Sequence, residues 1–534
     1  MAGSPVNGAG GPQGRAAGRI RRETMSSETA SDTEPAYTSL YFPQQSPVSI
    51  NYLAKRHNVT VPAIDQPFSY LDLGCGNGVT LNTMAASRPD CSFTGVDMMP
   101  DHISNAREDA ARGELTNVEY LELDFQGFLQ HDDPQFDYIT LHGVYSWVSA
   151  DERRNVRDII AKSLKPNGLV YVSYNTLPGA AVLAPLRDIL KNYTDTLSGS
   201  LIERTREGLK YLKFLKDNDA LYIRNNTLVG AAIDAMFQQD IRYVAHEYLA
   251  DTHTALGISD VADEMAEISL KFCCGARLGS VHAQRAHLRK FQGILDSRPD
   301  DVAREAVKSV ILNEKFRADI YARTDSMPGD TTSNSDFSGA VFGAAHLKTW
   351  QPRTPARELT SDILKIFEAA APGELELFDL CAIDELQSRS PETLSDLVHH
   401  LVTDEHLRPF TAPSAPATNG ENGKYRIAHA YNRASLADRL VQTGRCFLAS
   451  EVLGDGIAVD MISGLFLTAI TKDEVEDPVT FVDEALKATG REWRRKGVAI
   501  TGPAERTALL TREYENFRLD TLPLMMRLGV VVID

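Results

Sequence analysis

Residues 68–79 read FSYLDLGCGNGV: an apolar run that carries Asp72 near its end and then breaks into alternating glycines, Gly74, Gly76 and Gly78. Only glycine lets backbone N–H and C=O groups come this close to a ligand, so the bend is suited to holding something flat against a strand end. Asp97 follows Gly78 by 19 positions, closing a second apolar run, Phe93 to Val96. That is the separation at which a carboxylate meets ribose hydroxyls in a strand, loop, helix, strand unit.

The glycine spacing separates two nucleotide-like ligands. A dinucleotide fingerprint, G-x-G-x-x-G, needs glycine at position 79, where Val79 stands. Asp72-x-Gly74-x-Gly76-x-Gly78 instead resembles motif I of the class I S-adenosylmethionine-dependent methyltransferases. The resemblance implies S-adenosyl-L-methionine as cofactor and S-adenosyl-L-homocysteine as product. It also implies that Gly74, Cys75, Gly76, Asn77 and Gly78 wrap the amino-acid part of the cofactor.

Outward from the bend, residues 35–185 read as one α/β unit, a Rossmann-like, parallel-dominated sheet with helices on both faces. Strands are expected at Tyr70 to Leu73, Phe93 to Asp97, Val118 to Asp124, Tyr138 to His142 and Leu169 to Tyr174. Helices are expected at Val79 to Ser87, at Asp101 to Arg112 behind Pro100, and at Asp151 to Leu164 behind the capping pair Ser149 and Glu152; Lys165-Pro166-Asn167-Gly168 stops the last. Ligands of such sheets bind at the carboxyl ends of the strands. There stand Asp72, to brace the loop or meet the cofactor ammonium; Asp97, to accept both ribose hydroxyls, with Met98 beside it; and Asp124 with Phe125, to accept from the adenine amine and pack on the base. Alone, each acid reads as a solvated loop carboxylate; three in register with the glycines read as a site.

The fourth strand end is His142-Gly143-Val144-Tyr145-Ser146-Trp147-Val148, and YVSYNTLPG follows at 171–179. This pair of loops, with Tyr41-Phe42-Pro43-Gln44 and His246-Glu247-Tyr248-Leu249, resembles the bacterial methyltransferases that carry a methyltransferase regulatory domain, a group that includes lysine methyltransferases acting on outer-membrane proteins. An in-line displacement mainly requires nucleophile, methyl and sulfur held in a row. Tyr145, Trp147 and Tyr174 are candidates for an aromatic wall attractive to a cation, Asn175 for orienting the acceptor, and His142 for the cofactor pocket or for taking the proton of a lysine amine, whose pKa in water is about 10.4. The bland alternatives are core aromatics, a hydrogen-bonded structural histidine and a turn-capping asparagine.

Composition narrows the partners. Lys plus Arg number 55 against 73 Asp plus Glu, a net charge of −18, and the absence of a basic stripe argues against nucleic acid. Six scattered cysteines show neither a disulfide framework nor zinc-ligand spacing, so a metal-independent enzyme of the reducing cytoplasm is expected. No apolar run approaches the ~20 residues of a membrane span. Residues 1–34 are polar and Arg-bearing, a disordered tail that is either a transit peptide or a leader ahead of a start at Met25.

Beyond Pro185 the periodicity turns helical: 186–323 is expected to be a helical regulatory domain, its basic end Val307 to Arg323 resembling the segment that shapes the acceptor site in the related group. Then come a linker at 324–350, a winged-helix-like region at 351–431 whose hairpin pairs Leu407 to Thr411 with Tyr425 to His429, and an accessory domain at 432–534 ending in a buried strand. Cys273-Cys274-Gly275-Ala276 and the long polar loops depart from the lysine methyltransferases. The expected activity is methyl transfer to a protein lysine; a small-molecule N- or O-methyltransferase and a non-catalytic cofactor sensor are the other readings. A homodimer is compatible with the sequence.

Overall fold

The computed structural model describes residues 40–533 apart from position 133, the stretches 277–286, 327–340, 344–362 and 412–423, and shorter stretches within 364–405 and 490–501. Its centre is a seven-stranded sheet. The strands are β1 (Ser69–Leu73), β2 (Ser92–Asp97), β3 (Val118–Glu122), β4 (Phe136–Leu141), β5 (Leu164–Asn175), β6 (Leu270–Gly275) and β7 (Phe316–Arg323), in the order β3-β2-β1-β4-β5-β7-β6. Pairing is parallel from β3 through β5, and β7 runs antiparallel to both neighbours. Burial on both faces explains why all five residues of β1 lie inside, Ser69 and Asp72 as well as the apolar Tyr70, Leu71 and Leu73.

Helix α1 (Pro47–Arg56) precedes the sheet. Helices α2 (Val79–Ser87), α3 (Pro100–Arg112), α4 (Phe125–Gln130) and α5 (Ala150–Ser163) connect its first five strands. Pro100 opens α3, and the Ser149 hydroxyl accepts the Glu152 N–H to cap α5, a contact worth about 1 kcal/mol. Helix α4 was not expected: Asp124 caps it by accepting the Gly127 N–H at 2.7 Å, so the third strand ends at Glu122.

The stretch read as helical is so through α6 (Ala184–Thr194), α7 (Leu201–Asp217), α8 (Thr227–Met236), α9 (Ile241–Leu249) and α10 (Ile258–Ala266). His246 to Leu249 form the last turn of α9, ahead of the next helix, α10. The chain then returns to the sheet through β6, α11 (Asp301–Leu312) and β7. The helical run that the apolar spacing predicts at Val261 to Leu270 ends at Ala266, with Leu270 already in β6, and the basic end Val307 to Arg323 is divided between α11 and β7. Cys273 and Cys274, the unmatched feature, are buried members of β6.

Farther on, β8 (Val341–Gly343), β9 (Glu374–Glu376) and β10 (Arg408–Phe410) form a sheet ordered β10-β8-β9, beside α12 (Pro391–Thr403). Strand β11 (Tyr425–Ile427) pairs instead with the terminal strand β14 (Val531–Ile533), and β12 (Arg445–Ser450) pairs with β13 (Asp455–Asp460). The two strands of the expected wing therefore form but do not pair with each other, because each three-residue strand is completed by a distant segment. The terminal strand is buried at Val531 and half-buried beyond it, and Val530 just ahead of it is buried. The apolar spacing of Thr360 to Ala370 predicts a helix and the polar stretch Ala412 to Lys424 a loop; both, like most of the linker and the tail, lie largely outside the described residues.

Candidate active site

The glycine bend follows β1 and abuts two neighbours. Gly74, Gly76 and Gly78 take φ of +80°, +54° and +68°, values L side chains rarely adopt. A Cβ at Gly74 would lie 2.4 Å from Val144 Cγ2 in the loop after β4. Gly74 and Cys75 donate their N–H groups to Val96 O at 2.7 and 3.1 Å, and the Cys75 side chain packs towards Gly95. Asn77 is buried and its Oδ1 accepts from Asn105.

Asp97 ties this loop to the next helix. Oδ2 accepts the Gly76 N–H and Oδ1 the Met99 N–H, both at 2.9 Å, and His102 Nδ1 lies 3.3 Å from Oδ1. A carboxylate has roughly four lone-pair sites, so these two backbone bonds leave acceptor capacity for ribose. Met98, 67% exposed, stands next to it. Asp124 and the half-buried Phe125 stand at the end of β3, with one Asp124 oxygen engaged by its own helix.

Asp72 is buried at the base of the bend, its Oδ1 accepting from Thr140 Oγ1 at 2.9 Å. Burial pushes its pKa up to about 7; the Thr140 hydrogen bond opposes the shift and Asp97 adds to it. Ionisation near neutrality has a consequence for a ligand that brings an ammonium to this carboxyl. Such a ligand binds the charged form, so affinity should strengthen as pH rises from about 6 to 8, and calorimetry in two buffers should show proton release on binding. Asp72→Asn should flatten the dependence.

Three expectations for the loops after β4 and β5 are corrected. Tyr145 and Tyr174 do not wall a pocket: they are 0% and 1% exposed. Tyr145 donates its hydroxyl to Glu264 of α10, which Arg153 and Arg157 also hold, and Tyr174 donates to Asp319 of β7 at 2.5 Å. His142 is poorly suited as a base, since burial pulls its pKa down to about 3 and its Nδ1 engages the Tyr171 hydroxyl at 2.8 Å. Its ring stacks on Phe42 with centroids 3.8 Å apart. Asn175 does more than cap a turn: its Nδ2 lies 2.9 Å from His253 Nε2.

Trp147 and Asn175 therefore define the open end of the site, together with residues the sequence reading did not bring there. The Trp147 ring lies 4.8 Å from that of His253 and 5.2 Å from that of His246, and the Arg187 guanidinium sits 5.0 Å from its centroid. Residues 253–256 are stitched between the two loops: Thr254 N–H donates to Ser146 O at 2.8 Å, and Leu256 N–H to Asn175 O at 3.0 Å. A carboxamide nitrogen only donates, so His253 Nε2 accepts and the ring is neutral; burial, helped by Arg187, holds its pKa down at about 4. Burial raises Glu247 of α9 to about 7, with Arg187 opposing. His253 carries no local motif, and only its place in the strip brings it to Asn175.

A bend that no Cβ could fill, a buried carboxyl at its base and a carboxylate braced at the next strand end fit S-adenosylmethionine. A methyltransferase-domain family model matches residues 64–227, and a predicted methyltransferase regulatory domain matches 240–323. The uncharacterized protein sll1526 of Synechocystis sp. is 28% identical over 93% of this chain and 98% of its own length. The release factor glutamine methyltransferase of Escherichia coli is 39% identical over 11% of this chain and 22% of its own. PKMT2 from Rickettsia typhi, solved in complex with AdoHcy, shares the fold, with a TM-score of 0.69 and 20% identity over 92% of this chain and 100% of that chain.

The methyltransferase-domain match and the Rossmann-like fold together make this an S-adenosylmethionine-dependent methyltransferase with a class I sheet. More particularly, it is one whose methyltransferase domain is followed by a methyltransferase regulatory domain, and that domain reaches the open end of the site through His246 and His253. Among the described residues no cluster of His, Cys, Asp and Glu could hold a metal ion, and no helix is long and apolar enough to cross a membrane.

Proposed function

We propose that the acceptor is a lysine amine of a protein, methylated in the cytoplasm. The observation that carries this reading is the amide of Asn175, tied through Nδ2 to a neutral His253 beside the half-buried Trp147. With its nitrogen engaged, the carboxamide keeps Oδ1 as an acceptor for an amine N–H, which would aim the nitrogen lone pair. S-adenosylmethionine, when bound, supplies a sulfonium methyl for in-line displacement. Trp147 gives the approaching ammonium a π face. The resemblance of the HGVYSWV and YNTLPG loops to the lysine-methylating group and the acidic balance of the chain support a protein acceptor.

Incubation with methyl-labelled cofactor and a cell extract tests this: methyl-lysine should be recovered from labelled protein bands, and label confined to small metabolites would sink the reading. His253→Ala should lower turnover about 10- to 100-fold, the scale of a misaligned reacting group, with cofactor affinity retained in calorimetry. His253→Gln, which keeps an acceptor for Asn175, should recover part of the loss.

A further inference from the structure

Helix α2, which carries the glycine bend, is buried on every side: all nine of its residues are inside. One side packs on the sheet. The opposite side is covered by the hairpin β12–β13 and the residues before it. Thr83 Oγ1 and Tyr431 Oη are 2.8 Å apart, and a Cβ at Gly456 would lie 2.6 Å from Thr83 Cγ2 and 3.1 Å from Tyr41 Cζ. Tyr41 is buried at this junction, accepting the Gly456 N–H at 3.0 Å with its ring centroid 5.0 Å from that of Phe447. Helix α3 is tied to the same carboxyl-terminal unit by the pairs Arg439–Asp109 and Arg112–Asp438.

The residues after Tyr41 run over the bend itself. Phe42 donates its N–H to Thr80 Oγ1 in the first turn of α2 at 3.1 Å, and its ring lies on His142. Gln45 O accepts from Tyr70 Oη at 3.0 Å. Tyr70 bonds Thr140, and Thr140 bonds Asp72, each at 2.9 Å. The strap 41–45 therefore joins the hairpin to the two groups, His142 and Asp72, that flank the glycine loop.

We propose that the carboxyl-terminal unit sets cofactor affinity through this strap: the hairpin holds Tyr41, and Tyr41 holds Phe42 against His142 as a wall of the S-adenosylmethionine pocket. Phe42 is then a binding residue, and Tyr41, Phe447 and Gly456 are positioning residues. An aromatic ring there suits a sulfonium. The inference depends on the cofactor site and not on the identity of the acceptor.

Calorimetric titration of the full chain with S-adenosylhomocysteine and S-adenosylmethionine tests it. Phe42→Ala should weaken binding about tenfold or more, and Phe42→Tyr, which keeps the ring, should stay within about twofold. Tyr41→Phe removes only the hydroxyl and should weaken binding about two- to tenfold, the net worth of one hydrogen bond. Gly456→Ala should act in the same direction by pushing the hairpin off Tyr41. For these positioning variants KM for the cofactor should rise more than kcat falls, whereas a mere loss of folded protein lowers kcat at constant KM. Phe447→Leu repeats the test if a variant fails to fold.

Weakening by Phe42→Ala alone, with folded Tyr41→Phe, Gly456→Ala and Phe447→Leu binding as the parent does, would overturn the role of the carboxyl-terminal unit. Unchanged binding in Phe42→Ala would overturn the wall as well. Failure of the parent protein to bind either compound is a separate result, and removes the cofactor assignment itself.

Discussion

Gly78→Ala is expected to lower affinity for S-adenosylmethionine by about a hundredfold or more, a loss near 3 kcal/mol. Two physical terms add. The residue sits at φ +68°, where an L side chain costs roughly 1–2 kcal/mol. Its Cβ would also lie 2.5 Å from Tyr120 Oη and 2.7 Å from Ala106 Cβ. Neither neighbour is a flexible end: Tyr120 is buried and bonded to Asn82, and Ala106 lies inside α3. The bend must therefore move, and with it the N–H groups that hold it to Val96 and Asp97. Gly529→Ala is the control, since that residue has φ +69° but nothing within 4 Å of an added Cβ. It should lose about 1–2 kcal/mol of stability with cofactor affinity intact. Binding by Gly78→Ala within threefold of the parent would remove the bend from the cofactor site.

Arg317→Met is expected to destabilise the chain by about 3–5 kcal/mol, because removing one member of a buried ion pair leaves uncompensated charge inside. Arg317 and Asp319 are 3% and 0% exposed. The guanidinium donates to both Asp319 oxygens, at 2.8 and 3.2 Å, and to Glu314 and Glu305 at 2.9 and 3.1 Å. Losing it leaves the buried Asp319 without a counter-charge at the join between β5 and the regulatory segment, with Tyr174, next to Asn175, as its remaining donor, while Glu305 keeps Lys308 and Glu314 keeps the Ser309 hydroxyl. Urea unfolding should show the loss, and the double change Arg317→Met with Asp319→Asn should recover part of it. A loss under 1 kcal/mol in the single variant would show that water or a rearranged neighbour replaces the guanidinium.

Legibility followed locality. The bend, the acids at the ends of β1 and β2, the Pro100 start of α3 and the Ser149 cap are set by residues within a few positions of one another, and all were readable. The alternating Phe316, Ala318, Ile320 and Ala322 are a strand signal in the basic segment, masked by a helix that ends at Leu312. The cap at Asp124 was likewise present as a short local pattern. Tyr145 and Tyr174 were misjudged because a tyrosine beside a catalytic loop looks the same whether its ring lines a pocket or its hydroxyl reaches a buried carboxylate.

The order of residues alone determined the cofactor class, since three glycines and two carboxylates at fixed spacing impose a backbone path and a charge arrangement that leave few alternatives. Only the folded chain decided where β7 enters the sheet, which strands complete β10 and β11, and that His253 meets Asn175 across 78 positions. Those contacts join segments far apart in sequence, and their energy comes from burial and hydrogen bonds that exist only once both partners have been brought together.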